Sequence, residues 1–272
     1  MTELSAEEKL NKMTQDFLET TQKLFEREKE LKEANQKLQE IESIKSEFVA
    51  VAAHQLRTPL TGVKWSYLTL LDKATGPLNE EQRQIVEKGL ETIEYAINTI
   101  NDLLNTSRLE EAKTDFNFSV QPIGSVIREV IEQHKSVIAE KKIKLQVDFP
   151  LDSSLAFRFD KEKITIVFDN LIANAIKYTP AGGTVSLKAL REEKFIRFKI
   201  KDTGIGIPKA EQNRVFSKFF RAKNAVSFET YGTGLGLYVA KSIVEKHGGT
   251  ITLDSAVDDG TTVIFTLPLK KK

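Results

Sequence analysis

Residues 231–249 read YGTGLGLYVAKSIVEKHGG. Three glycines, Gly232, Gly234 and Gly236, stand at alternate positions ahead of a segment with helical spacing, and Gly248 with Gly249 closes it. Glycine lets backbone approach a ligand. N–H groups at a helix start, together with the helix dipole, suit phosphate oxygens. Thr233 and Leu235 lie inside the same loop and are taken with it. Alone, a GxGxG string is a weak signal, so its weight depends on its surroundings.

Upstream, residues 201–208 read KDTGIGIP. A strand runs into Asp202, and Gly204 and Gly206 again allow close backbone approach. Asp202 can accept a hydrogen bond from an exocyclic amine such as adenine N6. Further upstream, NLIANAIKYT (170–179) puts Asn170 and Asn174 four apart on one helix face, with Lys177 and Tyr178 a turn beyond. Side-chain carbonyls suit Mg²⁺ beside phosphates, which makes Asn174 the candidate metal ligand. Lys177 can neutralise a phosphate, and Tyr178 can stack on a base. Between the two glycine boxes lies VFSKFFRA (215–222), whose Phe216, Phe219 and Phe220 are expected mostly in the core and are followed by the cation Arg221. The whole stretch Lys209–Tyr231 reads as a mobile lid, because AKNAVSFET (222–230) has no clear period.

Helices and strands interleave around these boxes. FNFSVQPI, IKLQVDF, TVSLKAL, FIRFKIKDT, TITLDS and TTVIFTLPL read as strands; 123–141, ITIVFDNLIANAIKYT and VAKSIVEKHGG read as helices. Some strand pairs adjoin with no helix between them. That favours an α/β sandwich with a mixed sheet over a doubly wound parallel one.

The front of the chain differs. Residues 1–58 contain neither glycine nor proline, and Leu10, Phe17, Leu24, Leu31 and Leu38 recur every seven residues. Met13, Ala34 and Ile41 fill alternate seam positions that Thr20 and Arg27 do not. This is a parallel coiled-coil pattern whose seam becomes ambiguous near Lys45. After KATGPLN (73–79), Asn79 reads as an N-cap with Glu80 and Glu81 in the first turn, and Ile85, Ile93, Ile97, Ile100 and Leu104 keep helical spacing. Two helices joined by a short turn make a hairpin, and two hairpins from a dimer make a four-helix bundle. The expected domains are 1–45, 46–112 and 113–272, with a hinge near 112–118.

Within SEFVAVAAHQLRTPLTG (46–62), His54 sits on the first helix; Pro59 cannot donate to the Gln55 carbonyl, so a kink is expected there. Neutral imidazole is a competent nucleophile.

HQLRTPL resembles the H box of two-component sensor histidine kinases, whose usual form is HELRTPL. NLIANAIKYT, KDTGIGIP, VFSKFFRA and the 231–249 loop resemble, in order, the N, G1, F and G2 boxes of the Bergerat-type ATP-binding fold. Thr261, in DDGTTVIF, sits where that family places a threonine near the adenine pocket. The resemblance spans about residues 41–268. It implies ATP and Mg²⁺ as cofactors, His54 as phospho-acceptor, Lys177 and Arg221 as charge-neutralising groups, a homodimer, and a response-regulator receiver domain as partner. Gln55 departs from the pattern: a carboxamide accepts an N–H bond but cannot take the proton at pH 7. Thr58 matches a position that orients water for dephosphorylation, and equally suits the local geometry before a proline.

The remaining features exclude other classes. Lys+Arg number 40 against 39 Asp+Glu, a balance unlike that of a nucleic-acid binder. Cysteine is absent, which removes disulfides and thiolate chemistry. No run approaches 18 apolar residues and the first ten lack a signal-peptide pattern, so a cytoplasmic setting is expected, with an upstream sensor conceivable. No P-loop or eukaryotic kinase motif occurs. His134 and His247 read as structural. The other classes to weigh are an ATP-binding signalling scaffold with weak kinase activity and a gyrase- or chaperone-like ATPase.

Overall fold

The structure is a computed structural model that describes residues 6–72, 76–110, 116–149 and 155–269. The chain divides into two compact units, 1–51 and 52–272.

The first unit is one stretch of helix α1, which as a whole runs Ala6–Leu71. Its heptad residues Phe17, Leu24, Leu31 and Leu38 are 55 to 72% exposed.

In the second unit, the rest of α1 packs antiparallel on α2 (Glu80–Glu110). α2 starts with a reciprocal capping box: Gln82 N–H donates to Asn79 Oδ1 at 2.8 Å, and Asn79 N–H donates to Gln82 Oε1 at 3.0 Å. The pairing register is fixed by Arg57 Nη2 donating to Asn101 Oδ1 at 2.6 Å and by the Lys64–Glu94 ion pair at 2.8 Å. Extending that register sets His54 level with Leu104. The helix continues through Pro59, and Thr58 Oγ1 donates to the His54 carbonyl at 3.2 Å. Leu56, Val63 and Trp65 remain exposed on this hairpin.

The α/β region is a five-stranded sheet in the order β2-β4-β5-β7-β6, with β2 (Lys144–Asp148) parallel to β4 (Thr184–Arg191) and all other pairs antiparallel. β5 spans Phe195–Asp202, β6 Ile251–Ala256 and β7 Gly260–Pro268. Helices α3 (Ile123–Gln133), α5 (Lys161–Tyr178) and α7 (Gly236–Lys246) supply the apolar cover, with Phe168, Phe198 and Phe265 fully buried at the centre. Alternation in β5 buries Ile196, Phe198, Ile200 and Asp202 in turn. The same period that builds the core therefore delivers a carboxylate to its edge.

Three local expectations need correction. The helix expected over 123–141 is split: α3 ends before His134 and α4 covers Lys135–Glu140. His134 stands at the break, its Nε2 2.8 Å from Asp169 Oδ1. β3 (Ala156–Phe159), absent from the sequence reading, pairs with β1 (Ser119–Pro122) in a separate two-stranded sheet. The F-box phenylalanines are not core: Phe219 is 64% exposed with φ 61°, while Phe216 and Phe220 are half-buried. Part of the expected hinge, 112–115, lies outside the described residues. His247 is buried and fully engaged. Its Nε2 accepts from Asp160 N–H at 3.2 Å, so Nδ1 carries the proton toward the Ile243 carbonyl at 2.8 Å.

Candidate functional site

Helix α5 positions the site through its own amphipathicity. Ile164, Val167, Phe168, Leu171, Ile172, Ala175 and Ile176 form its buried stripe. Asp160 caps its start by accepting from Lys163 N–H at 3.0 Å. With that stripe fixed on the sheet, Asn170, Asn174 and Lys177 line a cavity of about 570 Å³, an ordinary size for a small-molecule site.

The other walls come from elsewhere in the chain. Tyr178, Asp202, Gly206, Arg221, Gly232, Thr233, Gly234, Gly236 and Thr261 all line the same cavity. Apolar surface is supplied by Ile205, Ile207, Val215, Leu253 and Val263, none of which a polar motif search would single out. Gly204 and Leu235 are not in the lining but support it. Gly204 N–H donates to Asp202 Oδ1 at 2.8 Å, and Leu235 is fully buried with its N–H on Thr233 Oγ1 at 3.2 Å. Gly236 leaves room for an amide: a Cβ there would come within 2.4 Å of Asn170 Oδ1. Asn170 Nδ2 is held by the Ile166 carbonyl at 2.8 Å, which turns that oxygen toward the glycine loop.

Asp202 Oδ1 accepts a second bond from Thr261 N–H at 3.1 Å. Burial raises its pKa above the usual carboxylate value, and the two amide donors pull it part of the way back. Burial lowers the Lys177 pKa, with Glu229 opposing and Arg221 and Lys141 adding to the fall. Its ammonium donates to the Tyr231 carbonyl. Burial also raises the Tyr178 phenol, which Arg221 partly offsets. Arg221 donates to the Thr230, Ala225 and Glu229 carbonyls, so it knots the loop that follows it. The stretch expected to be a mobile lid contains a 3-10 turn, Lys209–Arg214, and a short helix α6, Lys223–Phe228. Asn224 Nδ2 ties α6 to the Gly206 carbonyl at 2.8 Å.

Sequence reasoning missed one wall altogether. Glu94, Tyr95, Asn98 and Asp102 of α2 face the cavity. Asp102 Oδ2 accepts from Thr233 Oγ1 at 2.7 Å, and the Tyr95 and Tyr231 rings lie 5.0 Å apart. Burial raises the Asp102 pKa, the Thr233 bond lowers it, and nearby Asp169 raises it again. Nothing in the spacing of α2 marks Asp102, because its importance exists only once the loop folds onto that helix. His54, Gln55 and Thr58 are exposed and lie outside the cavity.

Among the described residues no cluster of three or more carboxylates or histidines could hold a metal. The donors at hand are amide oxygens on α5, which fits a hard cation carried mainly by phosphate and water. No helix among the described residues is long and apolar enough to cross a membrane.

Comparison with known proteins agrees with this geometry. Residues 44–112 match the His Kinase A (phospho-acceptor) domain, and residues 159–271 match the histidine kinase-, DNA gyrase B- and HSP90-like ATPase family. The chain carries a two-component histidine kinase catalytic core. This core is 36% identical over 259 residues to the circadian input-output histidine kinase CikA of Synechococcus elongatus, covering 93% of this chain and 34% of that protein. It is 37% identical over 228 residues to the sensor histidine kinase WalK of Bacillus subtilis, covering 83% of this chain and 37% of WalK. The chain thus spans about a third of the length of these relatives. Among solved structures, full-length ShkA in complex with AMPPNP matches with a TM-score of 0.64 and 27% identity, covering 83% of this chain and 46% of ShkA. The catalytic domain of the histidine kinase ThkA matches with a TM-score of 0.51 and 27% identity, over 57% of this chain and all of that one.

Proposed function

We propose that this chain is an ATP-dependent protein histidine kinase that works as a homodimer in the cytoplasm. The observation that carries the reading is the cavity in which Asp202, the α5 amides and both glycine loops meet. Adenine enters with its amine toward Asp202 and its ring beside Tyr178, and the phosphates lie along Gly232–Gly236. Thr233 and Lys177 leave Asp102 and the Tyr231 carbonyl to meet phosphate oxygens, and Arg221 adds positive charge nearby. Asn174, with Asn170 beside it, would hold Mg²⁺, which when bound supplies charge neutralisation at the phosphates.

An imidazole nitrogen of His54 attacks the γ-phosphorus in line; the bond to the β–γ bridging oxygen breaks and ADP leaves. Such transfer depends on positioning and electrostatics rather than on covalent protein chemistry. The phosphoryl group then passes to an aspartate of a response-regulator receiver domain, and Thr58 is placed one turn from His54 to orient water for the reverse duty. Residues 1–45 act as the coiled-coil signalling helix, 46–112 as the dimerising phosphotransfer hairpin and 113–272 as the ATP-binding domain. The exposed seam of α1 and the exposed Leu56, Val63 and Trp65 support dimerisation. Because the cavity excludes His54 as the chain stands, the ATP-binding domain must move for transfer.

Incubation of the chain with γ-labelled ATP tests this reading. Acid-labile, base-stable label is expected on the wild type and none on His54→Gln; equal labelling of both would remove His54 from the mechanism.

Gln55 leaves the imidazole without an adjacent base. Gln55→Glu is expected to speed phosphohistidine formation at pH 8 by about tenfold, a conservative share of the 10²–10⁴-fold typical of full general-base catalysis. Superimposed pH–rate profiles for the two forms would make position 55 a plain surface residue.

A further inference from the structure

An α-helix leaves its last four carbonyls without intrahelical partners. In α5 these belong to residues 175–178, the turn that carries Lys177 and Tyr178 into the cavity. All four are met. The Ala175 carbonyl accepts from Thr179 Oγ1 at 2.6 Å, and the Tyr178 carbonyl accepts from Ile205 N–H of the first glycine box at 3.2 Å. The two between them, of Ile176 and Lys177, both accept from Nζ of Lys141, each at 2.9 Å. No glycine in the left-handed conformation ends this helix, since its C-cap is Thr179 with φ −89°. A lysine from the turn between α4 and β2 takes over that work, and its positive charge sits at the negative end of the helix dipole.

Backbone geometry reinforces the placement. The Lys141 carbonyl accepts from Gly182 N–H at 2.8 Å, which ties its turn to the loop that follows α5. The next residue, Lys142, is held at φ 52°, a left-handed conformation uncommon for a side-chain-bearing residue. Lys141 is therefore gripped from both sides at a fixed distance from the helix end.

We propose that Lys141 is a positioning residue of the nucleotide site: its ammonium clamps the Ile176 and Lys177 carbonyls and so fixes where Lys177 and Tyr178 stand. This rests on the reading of the cavity as an ATP site. Lys141 itself is absent from the cavity lining and acts through α5. The charged groups around this end are Lys177, Arg221, Glu229 and Glu140. Burial lowers the Lys141 pKa, and Glu229 and Glu140 hold it up. The cation in turn helps to lower the Lys177 pKa. Losing it does two separable things: the last turn of α5 loosens, and Lys177 keeps its proton to higher pH.

The test compares the full chain with Lys141→Met, which keeps an unbranched apolar stem without donors, and Lys141→Arg, which keeps charge and donors. Affinity for a non-hydrolysable ATP analogue is measured by calorimetry from pH 7 to 10, and KM for ATP and the saturating rate by autophosphorylation. Lys141→Met is expected to weaken the analogue by about tenfold, the scale of losing charge-assisted bonds at a half-exposed site. KM for ATP rises by the same factor, the saturating rate falls by less, and the alkaline limit of binding moves upward. Lys141→Arg returns affinity to within about threefold of wild type. Should Lys141→Met fail to fold, Lys141→Leu, which also lacks donors, takes its place with the same expectation. An affinity within twofold of wild type for the Met or Leu form, or no recovery with Arg, overturns the proposal. Wild type that fails to bind the analogue overturns the ATP site as well, so the two failures are told apart by the wild-type titration.

Discussion

Asp202→Asn is expected to weaken adenine nucleotide binding by about a hundredfold while leaving the domain folded. The carboxylate stands on the core-facing register of β5, directly beyond Ile200, and is almost fully buried. Both of its backbone hydrogen bonds, from Gly204 and Thr261, end on Oδ1. Asparagine can keep those bonds with its own Oδ1, so the fold has little to lose. What changes is the other atom: an NH₂ donor replaces a lone-pair acceptor and meets the adenine 6-amino group, itself a donor. Each donor left unpaired in a dry site costs about 1–3 kcal/mol. Two of them approach 3 kcal/mol, and every 1.4 kcal/mol is a factor of ten. A guanine nucleotide, which offers an acceptor at that position, should lose far less, and the ratio of the two affinities is the sharper readout.

The pH dependence follows from the same burial. Because the folded pKa of Asp202 is raised above its ordinary 3.8, the folded state holds the proton more tightly than the unfolded one. The associated stability is fully present below the ordinary pKa and is lost as pH rises through the raised one. At neutral pH the empty domain therefore carries a buried charge that the Asp202→Asn change would remove, and its melting temperature should be unchanged or higher in the variant. Binding runs the opposite way: protonation turns the acceptor into a donor, so wild-type affinity falls as pH drops through the raised pKa. A variant that binds adenine nucleotide as well as wild type would remove Asp202 from base recognition.

How much of this was legible in the sequence depends on whether a residue's role is local. The α5 stripe, the N-cap at Asn79 and the glycine boxes are set by neighbours within a few positions, and period and punctuation reveal them. β3 is only four residues long and pairs outside the main sheet, so AFRF offers too little alternation to register. Lys142 adopts a glycine-like φ with no glycine to announce the turn. The F-box phenylalanines look like core by composition, yet one of the three is exposed beside a cavity edge, where partial burial is decided by the loop and not by hydrophobicity. Asp102 and Lys141 are the extreme cases. Each acts on a segment far away in sequence, Asp102 on Thr233 and Lys141 on the end of α5, so no window along the chain contains both partners. Motifs mark most of the polar groups that the α/β elements bring to the cavity, and tertiary structure alone shows the α2 wall and what holds the motif groups in place.

Gly260→Ala is the substitution expected to cost most in stability. The residue is buried at φ 88°, where a side chain is strained whatever the space around it. Space is absent as well: a Cβ would lie 2.0 Å from the Asp202 carbonyl oxygen and 2.9 Å from Thr203 Cα. Asp202 is the last residue of β5 and pairs with Val185 of β4, and Thr203 N–H donates to the Thr184 carbonyl at 3.0 Å, so these backbone atoms cannot step back singly. Strain at such a φ costs about 1–3 kcal/mol, and overpacking a further 1–3 kcal/mol. A loss of about 3 kcal/mol or more follows, or roughly 6–12 °C in melting temperature for a domain of 150–250 residues. The damage also reaches function, because the strand that must yield ends in Asp202, and Thr261, next to the new methyl, donates to its Oδ1. Residual folded protein should bind adenine nucleotide more weakly than wild type even after correction for the unfolded fraction. Calorimetry showing a melting temperature within 2 °C of wild type would mean that the β6–β7 hairpin relaxes freely, and that the close approach of Gly260 to Asp202 does not anchor the carboxylate.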